Sequence, residues 1–364
     1  MNQLPRRDFL KTAGTAAVGW AATAGAPYVL GGAPAKRRIK IGQIGTGHGH
    51  SAGKLATLLQ LADDYELVGI AESDPELRRK AEGHGVYRRV KWMTEEDLLD
   101  TKGLEAVAVE TNNARLVETA ARCVAAGKHV HLDKPAGVSV RRFHKVLDDA
   151  RRQGLTVQMG YMFRYNPGFQ LCFQAARQGW LGEIFEIDGV ISKRVAASRR
   201  KSATGSPGGT MFELGCHLID VLAILLGRPD KVTPYVRRTW PEDNLADNQL
   251  AVFEYPKAIC TIRSSVVEVE GERRRQFTVC GQQGTVDIKP VEPPKLRLAL
   301  AEPRGRYQRG YQEVQLPPSP GRYTEMLRDL ARILRGEKKN EYSPAHDLLV
   351  CELTLLASGL PLEP

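Results

Sequence analysis

The sequence predicts an α/β protein in two parts: a doubly wound parallel sheet, followed by an α/β domain with an open, mostly antiparallel sheet. Two observations carry that expectation. The hydrophobic period changes midway along the chain, and a glycine-rich turn follows the first apolar run. From Arg38 to about Gly160, the short runs IKIGQIG, YELVGIAE, AVAVE, KHVHLD and TVQMG alternate with helical stretches such as ARLVETAARCVAAG and RRFHKVLDDARRQG. Strands so separated pair in parallel, because each return crossing needs a helix. From about Ile184 the runs IFEIDGVISKRV, NQLAVFEY, KAICTIRSSVVEV, RQFTVCG, GTVDIKP and KLRLALA follow through short turns bearing Pro or Gly, the pattern of antiparallel neighbours. Two helices, at about Tyr323–Leu334 and Ser343–Ser358, close the chain.

The stretch IGQIGTGHGH places Gly45, Gly47 and Gly49 directly after the first strand, with a helix opening near Ser51. Glycines there let the backbone approach a pyrophosphate, whose charge then meets the N-terminus of the following helix. His50 stands where the third glycine of G-x-G-x-x-G belongs. The next run ends in Glu72, in the distance range at which an acid hydrogen-bonds a ribose 2′-hydroxyl. A carboxylate there repels a 2′-phosphate, so NAD is expected ahead of NADP. His48 and His50, with His129 and His131, also have the spacing of two H-x-H metal pairs. The first pair lies in a glycine turn, and nearby acids are accounted for by the ribose and by helix surfaces, so no metal is expected.

Residues 1–35, MNQLPRRDFLKTAGTAAVGWAATAGAPYVLGGAPA, set Arg6 and Arg7 before an uncharged stretch that closes on Ala33-Pro34-Ala35. This reads as a twin-arginine signal, cleaved after Ala35. It predicts a periplasmic or extracytoplasmic protein handled by the twin-arginine export machinery. The rest of the 364 residues suits roughly two domains, 36–160 for the nucleotide and 161–364 for substrate and oligomerisation. Without the leader, 49 basic residues face 41 acidic ones, mostly interleaved as on solvated helices. Nucleic-acid binding is not expected, since no known module or interleaved aromatics accompany the densest basic run, SKRVAASRRK at 192–201. That run carries Lys193, Arg194, Arg199, Arg200 and Lys201 just before a catalytic candidate, and could act as a lid favouring an acidic sugar. Six scattered cysteines with no C-x-x-C read as small buried residues.

The segment GGTMFELGCHLIDVLAILLG, 208–227, is apolar except for Glu213, His217 and Asp220, which fall at i, i+4 and i+7 on one helical face. Three ionisable groups on a buried stripe need partners or a pocket. With DKP at 133–135 and TNN at 111–113, this segment and the glycine turn make the chain resemble the Gfo/Idh/MocA family of sugar and cyclitol oxidoreductases.

That resemblance implies a Rossmann domain followed by an α/β domain whose open sheet often forms the subunit interface, hence a homo-oligomer. It implies Lys134 beside the nicotinamide, with Glu213 and His217 facing it as the other catalytic candidates. Cofactor contacts are then expected from Gly45, Gly47, His48, Gly49, His50, Glu72, Asn113, Asp133, Lys134 and Pro135. Tyr161 and Arg164, in GYMFRYNPGF, and Asp220 are expected to touch substrate. The family's E-K-P, D-x-G-x-H and T-P-N-x-x-H read D-K-P, E-x-G-x-H and T-N-N-x-x-L here. Oxidising a secondary alcohol requires a base on its hydroxyl, which suits His217. The small-molecule substrate is therefore expected to be a sugar, cyclitol or glycoside. Transient oxidation that cleaves a glycoside by elimination, and non-catalytic carbohydrate binding, are the rival readings.

Overall fold

The computed structural model describes residues 36–198, 200 and 207–362, so the expected export signal lies outside the described residues. Strands β1 (Ile39–Ile44), β2 (Tyr65–Ala71), β3 (Trp92–Met93), β4 (Ala106–Val109), β5 (His129–Leu132) and β6 (Val157–Met159) form a parallel sheet in the order β3-β2-β1-β4-β5-β6. Helices α1 (Ser51–Gln60), α2 (Pro75–Glu82), α3 (Glu95–Leu99), α4 (Leu116–Ala125) and α5 (Val140–Arg152) supply the crossovers. Every residue of β4 is fully buried, as a strand covered on both faces must be. In α5, Phe143, Val146, Leu147 and Ala150 repeat at helical spacing and turn inward, each large one contributing about 1.5–3 kcal/mol by burial. Ser139 caps that helix by accepting from the Arg142 N–H.

After α6 (Pro167–Arg177), the second sheet contains β7 (Ile184–Ser192), β8 (Lys231–Arg237), β9 (Asn248–Glu254), β10 (Ile259–Ser265), β11 (Gln276–Gly281), β12 (Gly284–Val291), β13 (Pro294–Leu300) and β14 (Gly310–Val314). Their order is β14-β13-β12-β11-β7-β10-β9-β8, antiparallel except for β7 with β10. The sequence pattern missed β8 and β14, the two edges. Pro234 interrupts the first, as only an edge strand tolerates, and the second is largely polar. Helix α7 (Cys216–Leu226) lies on the inner face of this sheet, and α9 (Pro344–Ala357) packs on both α7 and α5, while α8 (Thr324–Leu334) packs near α1. Arg37–Pro364 is thus one compact unit.

The cysteines are free; all but Cys280 are buried, and burial pushes the Cys172 thiol up to about 12. Among the described residues no helix is long and apolar enough to cross a membrane.

Candidate active site

The strand order reverses between β1 and β4, and the glycine turn lies at the carboxyl ends of those strands, where doubly wound sheets bind ligands. Gly45 has φ +95°, and a Cβ there would lie 2.5 Å from the Thr111 nitrogen, so only glycine permits this close crossing. A Cβ on Gly49 would meet nothing within 4 Å, which leaves the open space a pyrophosphate needs before α1. One Glu72 oxygen accepts from the Thr46 N–H (2.7 Å) and hydroxyl (2.9 Å), the other from the Asp74 N–H (3.0 Å). Glu72 therefore braces the turn, with lone pairs left for a ribose hydroxyl. These residues fit a dinucleotide.

Beneath the turn lies a buried ionic cluster. The Asp133 Oδ2 atom lies 2.8 Å from His48 Nδ1, 3.1 Å from His50 Nδ1 and 2.8 Å from the Lys54 ammonium, while Oδ1 accepts from the Lys134 N–H at 2.7 Å. Lys54 also donates to Glu110 at 2.8 Å, and all three charged side chains are fully buried. Burial pushes Glu110 well above the carboxylate range, and Asp133 adds repulsion. Asp133 itself is held well below that range, against burial, by His48, Lys54 and His50. One ammonium between two carboxylates thus favours the charged form of Asp133 over that of Glu110. Burial also drops His50 to about 4. The side chains of His48, His50 and Asp133 are bound to one another, so from this turn it is chiefly the backbone that is open to a cofactor. Pro135, behind a cis peptide bond, is buried as well.

The ligand atoms of His48, His50 and Asp133 lie within 4.8 Å of one another, as in a metal site. The Lys54 ammonium, however, contacts the same Asp133 oxygen and already supplies the cation. His129 and His131 do not join them: His129 Nδ1 accepts from the Thr156 N–H, and His131 Nδ1 meets Gln158 Oε1 at 2.9 Å.

Lys134 reaches the candidate catalytic helix, its ammonium donating to the Glu213 carbonyl at 2.8 Å and lying 3.9 Å from the Glu213 carboxylate. Asn113 donates to the other Glu213 oxygen. The helix does not run regularly through this point. Met211–Gly215 forms a π turn before α7, so Glu213 is displaced from the line through His217 and Asp220. This corrects the single stripe: the Glu213 side chain is 35% exposed, while Asp220 is fully buried. The turn is pinned from outside, by Gln249 accepting from the Met211 N–H (2.8 Å) and by Ser264 donating to Thr210 O (3.1 Å). Gly209 enters it at φ +61°, where a Cβ would lie 2.3 Å from Ala246 O.

His217 is buried against Phe163 and Tyr161, with ring centroids 5.2 and 6.2 Å away, and faces His50 at 6.3 Å. Its Nδ1 has no partner among the described residues. Burial, then Lys134 and His50, hold it well below the usual histidine range, so the imidazole is neutral. Glu213 binds Lys134 and Asn113.

The three expected substrate contacts are placed differently. Arg164 donates to both Asp220 oxygens (2.7 and 3.0 Å) and to Asp347 (2.6 Å), with His346 3.0 Å from Asp220. Its guanidinium is stacked between the rings of Tyr161 (4.9 Å) and Tyr342 (4.0 Å). Arg164 and Asp220 are buried and bound to each other, to Asp347 and to His346, so they brace α7, while the Tyr161 ring lies between Arg164 and His217. In the basic run, Arg200 is bound to Asp243 and Asp247, and Arg199 and 201–206 lie outside the described residues.

Sequence reasoning missed Lys54 and Glu110. Their signal was available: Lys54 sits on the stripe Ser51, Leu55, Leu58 that α1 buries, and Glu110 directly extends the buried AVAV run. Opposite charges on two buried elements imply a pair.

Residues 39–161 match the family model described as the oxidoreductase family with an NAD-binding Rossmann fold, and 169–287 match the GFO/IDH/MocA C-terminal domain. Trans-1,2-dihydrobenzene-1,2-diol dehydrogenase of Bos taurus is 21% identical over 71% of this chain and 74% of its own length. The scyllo-inositol 2-dehydrogenase (NADP(+)) of Bacillus subtilis is 24% identical over 65% of each chain. The WlbA dehydrogenase of Bordetella pertussis, solved with NADH and UDP-GlcNAcA, superposes with a TM-score of 0.72 at 19% identity, covering 90% of this chain and all of that one. The chain belongs to the Gfo/Idh/MocA oxidoreductase family and binds NAD(P) through its Rossmann domain.

Proposed function

We propose that this Gfo/Idh/MocA oxidoreductase is an NAD-dependent enzyme that transfers hydride between a secondary hydroxyl of a sugar, cyclitol or glycoside and the nicotinamide. The observation that carries this reading is the meeting of Lys134, from the carboxyl end of β5, with the helix that bears His217. When bound, the nicotinamide supplies the hydride acceptor. His217, neutral and with an unpartnered ring nitrogen, takes the proton of the hydroxyl. Lys134 donates to the same oxygen, and Glu213 and Asn113 hold its amine toward the site. Glu72 favours NAD, as its carboxylate suits a 2′-hydroxyl and repels a 2′-phosphate. Among the relatives, one is named for NADP(+) and another was solved with NADH.

Export by the twin-arginine route, motivated by Arg6-Arg7 and Ala33-Pro34-Ala35, belongs to the same proposal. Changing both arginines to lysine stops export, and the mature chain starts at Lys36. Self-association through the open sheet is supported by Ile259, Tyr235 and Tyr311, exposed on its outer face. Mass spectrometry of the purified protein for retained nucleotide, followed by a sugar panel read for both NADH and glycoside cleavage, tests the reaction. Net NADH formation supports it. Cleavage without NADH, or binding with no change of the cofactor, replaces it by transient oxidation or by carbohydrate binding.

A further inference from the structure

We infer that the substrate is an anionic sugar or cyclitol, its carboxylate or phosphate received between Lys193 and Arg275. The inference rests on the sugar oxidoreductase reading of the site and specifies its substrate class.

The carboxyl end of β7 is tied directly to the catalytic helix. The Ser264 hydroxyl lies 3.0 Å from Ile191 O and 3.1 Å from Thr210 O and shares its one hydrogen between them, so Lys193, two residues beyond Ile191, is held beside the start of the π turn. Arg275 joins from the start of β11, its Nε donating to Ser192 O at 3.1 Å, which fixes the guanidinium against the residue preceding Lys193. Arg275 is nine-tenths buried. Its Nη1 lies 3.2 Å from Glu292, whose other oxygen is 2.9 Å from Arg322, so one carboxylate serves two guanidiniums. No hydrogen bond from Arg275 Nη2 is present among the described residues, nor any carboxylate within ion-pair distance of the Lys193 ammonium.

Charge is therefore unbalanced beside the π turn. Glu213 serves both Lys134 and Lys193, and Glu292 is shared by Arg275 and Arg322, so four cations face two carboxylates. Glu272 is near but exposed to solvent, where its charge is screened. Two groups report the same field. Lys193 is pushed down by burial, then by Lys134, which Glu213 partly offsets, with Arg275 adding to it; His217 is lowered by burial, then by Lys134 and His50, which Asp133 partly offsets, with Arg275 adding to it. An ammonium and a guanidinium N–H carried on adjoining backbone beside the π turn form a receptor for an oxyanion, and neutral hydroxyls would leave the excess charge uncompensated.

The test uses the NAD-loaded full chain with matched substrates: glucose against glucuronate and glucose 6-phosphate, and myo-inositol against inositol 1-phosphate. One anionic member of a pair is expected to exceed its neutral partner in kcat/KM by about 10–100-fold, and the better arm tells carboxylate from phosphate. Lys193→Gln should cut that ratio by roughly tenfold at unchanged melting temperature, and Lys193→Arg should retain it. Arg275→Lys gives a second reading from the other side of the anion. Neutral partners turned over as well as their acids, or a ratio indifferent to Lys193→Gln, overturn the inference and leave the oxidoreductase reading standing. Calorimetry on the same protein separates the converse: an anionic sugar bound in preference, with no NADH formed, supports the receptor and sinks the hydride transfer.

Discussion

Two buried ionic clusters flank His217, and they are built alike. In each, one cation lies between two carboxylates: Lys54 between Asp133 and Glu110, Arg164 between Asp220 and Asp347. In each, burial pushes one carboxyl up, Glu110 or Asp347, while the other is held down against burial. In each, the depressed carboxylate also meets histidine. They differ in what is left over. The Arg164 cluster is satisfied within itself and ties α7 to α9. The Lys54 cluster leaves Glu110 Oε2 and the neighbouring His131 Nε2 unpartnered among the described residues, and hands its geometry to Lys134 through Asp133. Burial of charge thus marks a structural demand; the polar atoms it leaves unpartnered mark a candidate site.

Removing the central cation should separate the two. Arg164→Met and Lys54→Met each strand buried carboxylates, and each is expected to cost about 3–5 kcal/mol in urea unfolding. Turnover per folded molecule should stay within about threefold of parent for Arg164→Met and fall more than about tenfold for Lys54→Met. Equal kinetic effects would erase the distinction. Acid sharpens it next. His50 is lowered from 6.5 to about 4, mainly by burial. Above pH 6.5 it is neutral folded or unfolded. As pH falls from there toward 4 only the unfolded chain takes the proton, so about 3 kcal/mol of stability is lost across that window. His50→Asn should flatten that part of the pH profile, and an unchanged slope would contradict it. The smallest effect lies at the rim of the turn. Glu72→Ser should narrow the preference for NAD over NADP by about 1–3 kcal/mol in cofactor titrations. A parent that prefers NADP would remove the basis for it.

What was legible in the sequence follows from what periodicity reports. Five of the six parallel strands, the glycine turn and the closing helices appear because apolar spacing and turn residues are local signals; the two-residue edge strand β3 is too short to show a period. β8 and β14 were not legible, since edge strands carry Pro and polar residues that break the alternation. The approach of Lys134 to the helix bearing Glu213 was readable from motifs, whereas the π turn was not, because residue type does not specify a hydrogen-bond register. Arg164 and Asp220 were misassigned for a related reason: their partners lie 56 and 183 residues away, and only the packing of α9 on α7 brings Asp347 and His346 to them.

The claim that His217 and Lys134 form the reacting edge is tested most directly by turnover of His217→Asn and Lys134→Ala on a sugar the parent oxidises, with melting temperatures taken alongside. The account predicts a fall on the order of 10²–10⁴ in each, with the fold intact and with NAD still bound by His217→Asn. Near-parental turnover in His217→Asn, or loss that tracks unfolding, would contradict it and leave His217 as one more buried group on the brace that Arg164 and Asp220 build.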